Sequence, residues 1–145
     1  MLCAITLVVI LLSACASRTP ISATNFQRIM EENGFEVRDV TYQTESNEIE
    51  LVLLGIMGGS YQFEFYEISS EYFARRFYNT MPPALEERKG TSYTSRTLGG
   101  RNFESYELTT SGMYFHLLRV ENVVIFVEAD AAFRDDIREI FGLLR

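Results

Sequence analysis

Two-residue turn signals recur along this chain, and they restrict most of it to strands of an antiparallel sheet. Gly58-Gly59, Gly99-Gly100, Ser111-Gly112 and Glu121-Asn122 each stand between two runs of extended-looking sequence. Connections this short favour tight hairpin turns, and strands joined by such turns must pair antiparallel. The runs are "NEIELVLLGIM" and "SYQFEFYEI", "TSYTSRTL" and "RNFESYELTT", then "MYFHLLRV" and "VVIFVEA". Alternation is clearest where Tyr61, Phe63 and Phe65 take one side and Gln62 and Glu64 the other. A weaker extended segment, "EVRDVTYQT", precedes them with Val37 and Val40.

Three stretches have the helical period instead. "ISATNFQRIMEENGFEV" offers Ser22 or Thr24 as N-cap, a stripe of Phe26, Ile29 and Met30, and Gly34 as the stop. "SSEYFARRFYNTMPPALEERKG" starts with two capping serines and places Phe73 and Phe77 on one face. Pro82-Pro83 are expected to break that helix, with a second short turn from Ala84 to Arg88. "DAAFRDDIREIFGLLR" closes the chain, capped by Asp130, with Phe133, Ile137, Ile140, Phe141 and Leu144 on one face. Its acidic residues come early and Arg145 comes last, as the helix dipole favours. The predicted fold is therefore α+β: an antiparallel sheet of about five to seven strands with three helices packed on it. Each half runs helix then strands, but the residues of the halves do not match well enough to indicate duplication.

A chain of 145 residues holds one domain, placed at 22–145, whose core is large enough to fold without staples. Both cysteines, Cys3 and Cys15, fall in the first fifteen residues, so the domain has no disulfide framework, cysteine nucleophile or cysteine metal site. The formal net charge of −7 repels phosphate backbones, and no basic stripe offsets it, which argues against nucleic acid as a partner. The same charge argues against electrostatic adsorption to an anionic leaflet, so attachment to a membrane needs a covalent or apolar anchor.

"MLCAITLVVILLSAC" supplies a candidate anchor. Its apolar run from Leu2 to Leu12 is shorter than the roughly 20 residues a membrane span needs, and has the length of a signal-peptide apolar region, about 7–15 residues. No Lys or Arg precedes it, a departure from the usual signal. Leu12-Ser13-Ala14-Cys15 resembles the bacterial lipobox at all four positions. The resemblance implies a signal peptide at 1–14, a diacylglycerol thioether on Cys15, and a short linker over 15–21. Two acyl chains anchor stably where one does not. Position 16 is Ala rather than Asp, so the inner-membrane retention signal of Gram-negative lipoproteins is absent. Over most of the remaining chain, "SATNFQRIMEENGFEVRDVT", "YQFEFYEISSEYFARRFYN" and "VVIFVEAD" resemble a group of small Gram-positive lipoproteins without an assigned function. Those motifs are core and cap patterns and imply no catalytic residues.

The search for chemistry finds few groups. His116 is the sole histidine, on the strand face of Tyr114, Leu118 and Val120, and reads as an internally bonded or partly exposed sheet residue. Glu31-Glu32, Glu86-Glu87 and Asp135-Asp136 are sequence neighbours that point apart on a helix. Glu64 and Glu107 on strands would have to meet across a cleft to act as a hydrolytic pair. The glycines of "LLGIMGGSYQ" precede a strand, so they form a turn rather than a phosphate loop, and no metal or cofactor motif is present. Aromatic residues are in excess, with 11 Phe, 8 Tyr and no Trp. The phenylalanines read as core, whereas Tyr66, Tyr72, Tyr78, Tyr93, Tyr106 and Tyr114 fall mostly on the polar side, as in contact surfaces.

The expectation is a lipid-anchored protein on the extracytoplasmic face of the membrane, carrying a non-catalytic binding or interaction domain. Tyr66, Tyr106, Tyr114 and His116 are its candidate binding residues, and an envelope protein or small ligand is its partner. The alternatives are an accessory or assembly factor of an envelope complex, and a carboxylate-based hydrolase. A pocket lined by Glu64, Glu107 or His116 would favour the enzyme, and a flat tyrosine patch the binding domain.

Overall fold

The computed structural model describes residues 16–144. The expected leader, Met1–Ala14, and the expected lipid site, Cys15, lie outside the described residues, as does Arg145. Helix α1 (Ala23–Glu32) starts where the Ser22 hydroxyl accepts the Asn25 N–H, and it turns the buried Phe26 and Met30 inward. Strands β1 (Glu36–Asp39), β2 (Ile49–Met57) and β3 (Tyr61–Ile68) follow. Helix α2 (Glu71–Glu86) is capped by Ser70 and followed by β4 (Tyr93–Gly99), β5 (Phe103–Thr110), β6 (Met113–Val120) and β7 (Val123–Asp130). Asp130 caps a single 3₁₀ turn, Ala131–Phe133, which leads into α3 (Arg134–Leu143).

Helix α2 departs from the sequence reading, because it continues through Pro82-Pro83. Proline cannot donate to the carbonyls of Tyr78 and Asn79, but its fixed φ is itself helical. Tyr78 and Leu85, both buried, clamp the helix to the sheet on either side of the prolines. Tertiary packing thus holds the path that local propensity would end.

All strands pair antiparallel in one seven-stranded sheet, ordered β1-β2-β3-β7-β6-β5-β4. The β3–β7 pairing, with Phe63 opposite Val127 and Phe65 opposite Ile125, joins the two halves. Alternation along each strand then divides the core in two. One face presents Phe63, Phe65, Ile125, Val127 and Leu118 to α1 and α3. The other presents Leu108, Phe115, Leu117, Val124 and Phe126 to α2. The sheet is covered on both sides except at its margins, where β4 is exposed along its whole length.

The α2 face also buries a charge. Arg119, 1% exposed, donates through Nε to Glu104 at 2.8 Å and through Nη1 to the Glu121 carbonyl at 3.0 Å, with Glu71 of α2 3.5 Å away. Hydrogen bonds to charged groups contribute about 1.5–3 kcal/mol, and Glu104 and Glu71 are themselves partly exposed. Arg119→Ala is expected to lower unfolding free energy by about 2–3 kcal/mol in a urea titration followed by circular dichroism. The β5–β6 turn gives a second expectation. Ser111 and Gly112 have φ of +47° and +79°, the left-handed pair of a tight hairpin. Gly112→Val should cost about 1–2 kcal/mol in the same titration, because a β-branched side chain is strained there.

Candidate functional site

On the α1/α3 face, α3 covers β6 but stops short of β4. The uncovered corner is a pocket of about 260 Å³. Its floor is Ser105 and Glu107 of β5 with His116 and Leu118 of β6. Arg138 and Phe141 of α3 form one wall, and Arg96 and Leu98 of β4, with Arg18 from the N-terminal segment, form the other.

Strand register builds the floor. Glu107 is directly opposite His116 on β6 and Arg96 on β4, and Ser105 is opposite Leu118 and Leu98. From α3, Phe141 stacks on the His116 ring with centroids 3.7 Å apart. Arg138, three residues earlier on the same helix side, reaches down to Glu107 Oε2 with Nε at 2.9 Å and Nη2 at 2.6 Å. The Tyr114 hydroxyl donates to the same oxygen at 3.1 Å and lies 3.2 Å from His116 Nδ1. His116 Nε2 is 3.2 Å from Ser105 Oγ. The hydroxyl of Tyr114 has one proton, and giving it to Glu107 requires His116 Nδ1 to donate to the tyrosine oxygen. With the ring neutral Nε2 then accepts from Ser105, and with the ring charged it donates to the Ser105 Oγ.

The electrostatics fit this chain of bonds. Burial works to raise the Glu107 carboxyl, but the Arg138 hydrogen bonds and the His116 and Arg138 charges outweigh it and hold Glu107 below the usual carboxylate range. Burial, followed by the Glu107 charge, pushes the Tyr114 hydroxyl above its ordinary range, so it remains a donor. Glu107 is thus a fixed anion rather than a proton donor. Ser105 lies mid-strand in a ladder flanked by β4 and β6. The backbone N–H groups around it are committed to those ladders, which leaves none for an oxyanion hole. The arrangement suits holding a bound group in place.

The sequence-derived residues are distributed differently from the expected tyrosine surface. Tyr114 is fully buried and Tyr106 is 5% exposed, on opposite faces of the sheet. Tyr66 is half-buried on the α2 face, its ring against Phe77 and its hydroxyl donating to Glu64 at 2.5 Å. Tyr78 is buried as well, and Tyr72 and Tyr93 alone of that set are well exposed. The reason is that helices cover both faces of the sheet, so the side opposite the phenylalanines is core too. Carboxylates at its margin accept the phenol protons, as Glu86 does from Tyr106. Glu64 and Glu107 do not meet either, since Glu64 is on the α2 face and Glu107 on the other.

His116 and Glu107 do come together in a pocket, the arrangement named above as favouring the hydrolase, but Glu64 lies on the other face, so the carboxylate pair that reading needs is not brought together there. Ser105, Arg138, Arg96 and Arg18 went unrecognised in the sequence. The signal available for Arg138 was an arginine bordering the apolar stripe of α3. Among the described residues no group of three or more His, Cys, Asp or Glu could hold a metal ion.

No protein-family model matches this sequence, and no curated protein does. Among solved structures the chain is similar to a GTP binding regulator from Thermotoga maritima, at 12% identity and a TM-score of 0.53. The match covers 86% of this chain and 87% of that one, and at this identity it concerns the fold alone.

Glu107 yields a pH-dependent expectation. Its folded pKa is depressed from 4.5, so its stabilisation is complete well above pH 4.5 and is lost as pH falls through the folded value. Glu107→Gln should reduce stability at pH 7 by about 1–2 kcal/mol, the difference between charged and neutral hydrogen bonds. It should also shrink the decline of stability between pH 5 and pH 3, read by thermal melts across about that range.

Proposed function

We propose that this chain is a lipid-anchored protein of the extracytoplasmic membrane face whose α+β domain is a non-catalytic binding module. The anchor reading rests on Leu12-Ser13-Ala14-Cys15 at the end of an apolar run. No helix among the described residues is long and apolar enough to cross a membrane. The observation that carries the binding reading is the pocket itself: a concave site floored by Ser105, Glu107 and His116, with every side chain of its hydrogen-bond chain fixed. Such preformed sites with few convergent polar groups are how small ligands are held.

The start of the domain also favours a close anchor. The Arg101 N–H donates to the Ala16 carbonyl at 3.0 Å, the Arg18 N–H to Asn102 Oδ1 at 2.9 Å, and Asn102 Nδ2 to the Arg18 carbonyl at 2.7 Å. A side chain at Gly100 would collide with that segment, its Cβ falling 2.5 Å from the Ala16 oxygen. Residues 16–18 are therefore laid against the β4–β5 turn, and a lipid on Cys15 would hold that turn beside the bilayer.

Cys15→Ser tests the anchor. The variant should leave the membrane fraction while keeping the melting temperature of the wild-type domain. Sedimentation of the variant with membranes after an alkaline wash would overturn the lipid-anchor reading.

A further inference from the structure

We propose that the free edge of β4 takes up an extended acidic segment of a partner protein as a further antiparallel strand, with a carboxylate opposite Arg96 and apolar side chains opposite Leu98 and Tyr93. This goes beyond the pocket reading and depends neither on a ligand in the pocket nor on the lipid anchor. The starting observation is that the sheet has two edges and guards only one of them.

Strand β4 is bonded to β5 on one side and to no strand on the other. Alternate residues of an antiparallel edge strand turn their N–H and C=O groups outward. Among the described residues no other segment's backbone pairs with those groups of Tyr93–Gly99. Natural sheets blunt such an edge by keeping it short, by charging it, or with proline and bulges. The opposite edge does so: β1 has four residues, three of them charged, with Arg38 bonded to Glu36. Strand β4 has seven residues, a single charge and no proline. Its register against β5 runs from Tyr93–Thr110 to Gly99–Glu104 without a shift. Tyr93 and Leu98, on opposite faces of the strand, are large apolar side chains left exposed. An edge of this kind is what strand addition uses, with main-chain hydrogen bonds for affinity and alternate side chains for specificity.

Charge selects the partner. From Arg88 to Phe103 the sequence contains Arg88, Lys89, Arg96 and Arg101 and no acidic residue, in a chain of net charge −7. Arg88 is paired with Glu128 and Lys89 with Glu86. Arg96 lies opposite Glu107 on β5, but that carboxylate is held by Arg138. Neither Arg96 nor Arg101 forms an ion pair among the described residues. A carboxylate directly across from Arg96 on an added strand is favourable, and a second cation there is not. A symmetric pairing of two β4 strands centred on Ser95, Arg96 or Thr97 sets the two Arg96 side chains directly or diagonally opposite, so an acidic segment fits where a second copy does not. Arg96 and Leu98 share a face, and Tyr93 is on the other. An antiparallel partner therefore reads, in its own order, apolar, any, acidic, any, any, apolar.

The test uses the nitrogen-15-labelled full chain in neutral detergent micelles, followed by amide chemical shifts and hydrogen exchange. The probe is the blocked peptide Thr-Leu-Thr-Glu-Thr-Thr-Val-Thr, whose leucine, glutamate and valine face Leu98, Arg96 and Tyr93 in the proposed register. Saturable shifts centred on β4 are expected, with slowed exchange of its outward amides. Lysine in place of the probe's glutamate should weaken binding about fivefold, and Arg96→Gln about threefold, the scale of cross-strand charge pairs. Arg75→Gln on α2 should leave binding unchanged. Absence of saturable binding would overturn the proposal, as would equal affinities for the two peptides. Outward β4 amides already protected without peptide would also overturn it. Protection that rises with chain concentration assigns the edge to a second copy, and protection independent of concentration assigns it to residues 1–15 of the same chain.

Discussion

A single sheet with apolar residues on both faces has to be covered on both faces, and among the described residues three α-helices are there to cover seven strands. That shortage governs the rest of the structure. Helix α2 alone serves one face, so it must run long, and it does so by continuing through two prolines. Helices α1 and α3 share the other face. Between them they reach the aromatic centre, where Phe26 packs on Phe65 and Phe141 on Phe63. They do not reach β4. The strand left over is exposed along its length, and the corner beside it is where the pocket opens.

The buried polar groups of this core sit on strands, and the two ion pairs among them draw partners from far along the chain. Glu107 meets Arg138, and Arg119 meets both Glu104 and Glu71. Among the described residues no buried side-chain nitrogen or oxygen is left without a hydrogen bond. An unpaired buried polar atom would cost as much as several good contacts contribute. Such networks therefore fix which strand neighbours which, as well as adding stability.

Local features of the fold were legible because they are set by local rules. Ser22 and Ser70 cap where a hydroxyl precedes a helical stripe, and Ser111-Gly112 turns where left-handed φ is needed. Helix count and strand pairing through tight turns followed from these. What depended on distant partners was not legible. The union of β3 with β7 has no local signal, since these strands are separated by a helix and three other strands. The tyrosines misled for the same reason: Tyr106 and Tyr114 alternate out of register with their neighbours' apolar groups only if one face is wet, and neither is. Half of the candidate site was visible, in His116 and Glu107. The arginines that line it come from three separate segments, and single arginines in an acidic chain read as solvated surface.

The clamp on residues 16–18 has a mechanical consequence. Segments leading into a domain commonly act as slack tethers that absorb tension before any folded part feels it. Here the slack is absent, because Asn102 grips Arg18 through both its amide oxygen and its amide nitrogen, and Arg101 holds Ala16. A pull on the N-terminal end is transmitted directly into the β4–β5 hairpin at the sheet margin. The first bonds loaded are therefore those that position Arg18 at the pocket rim.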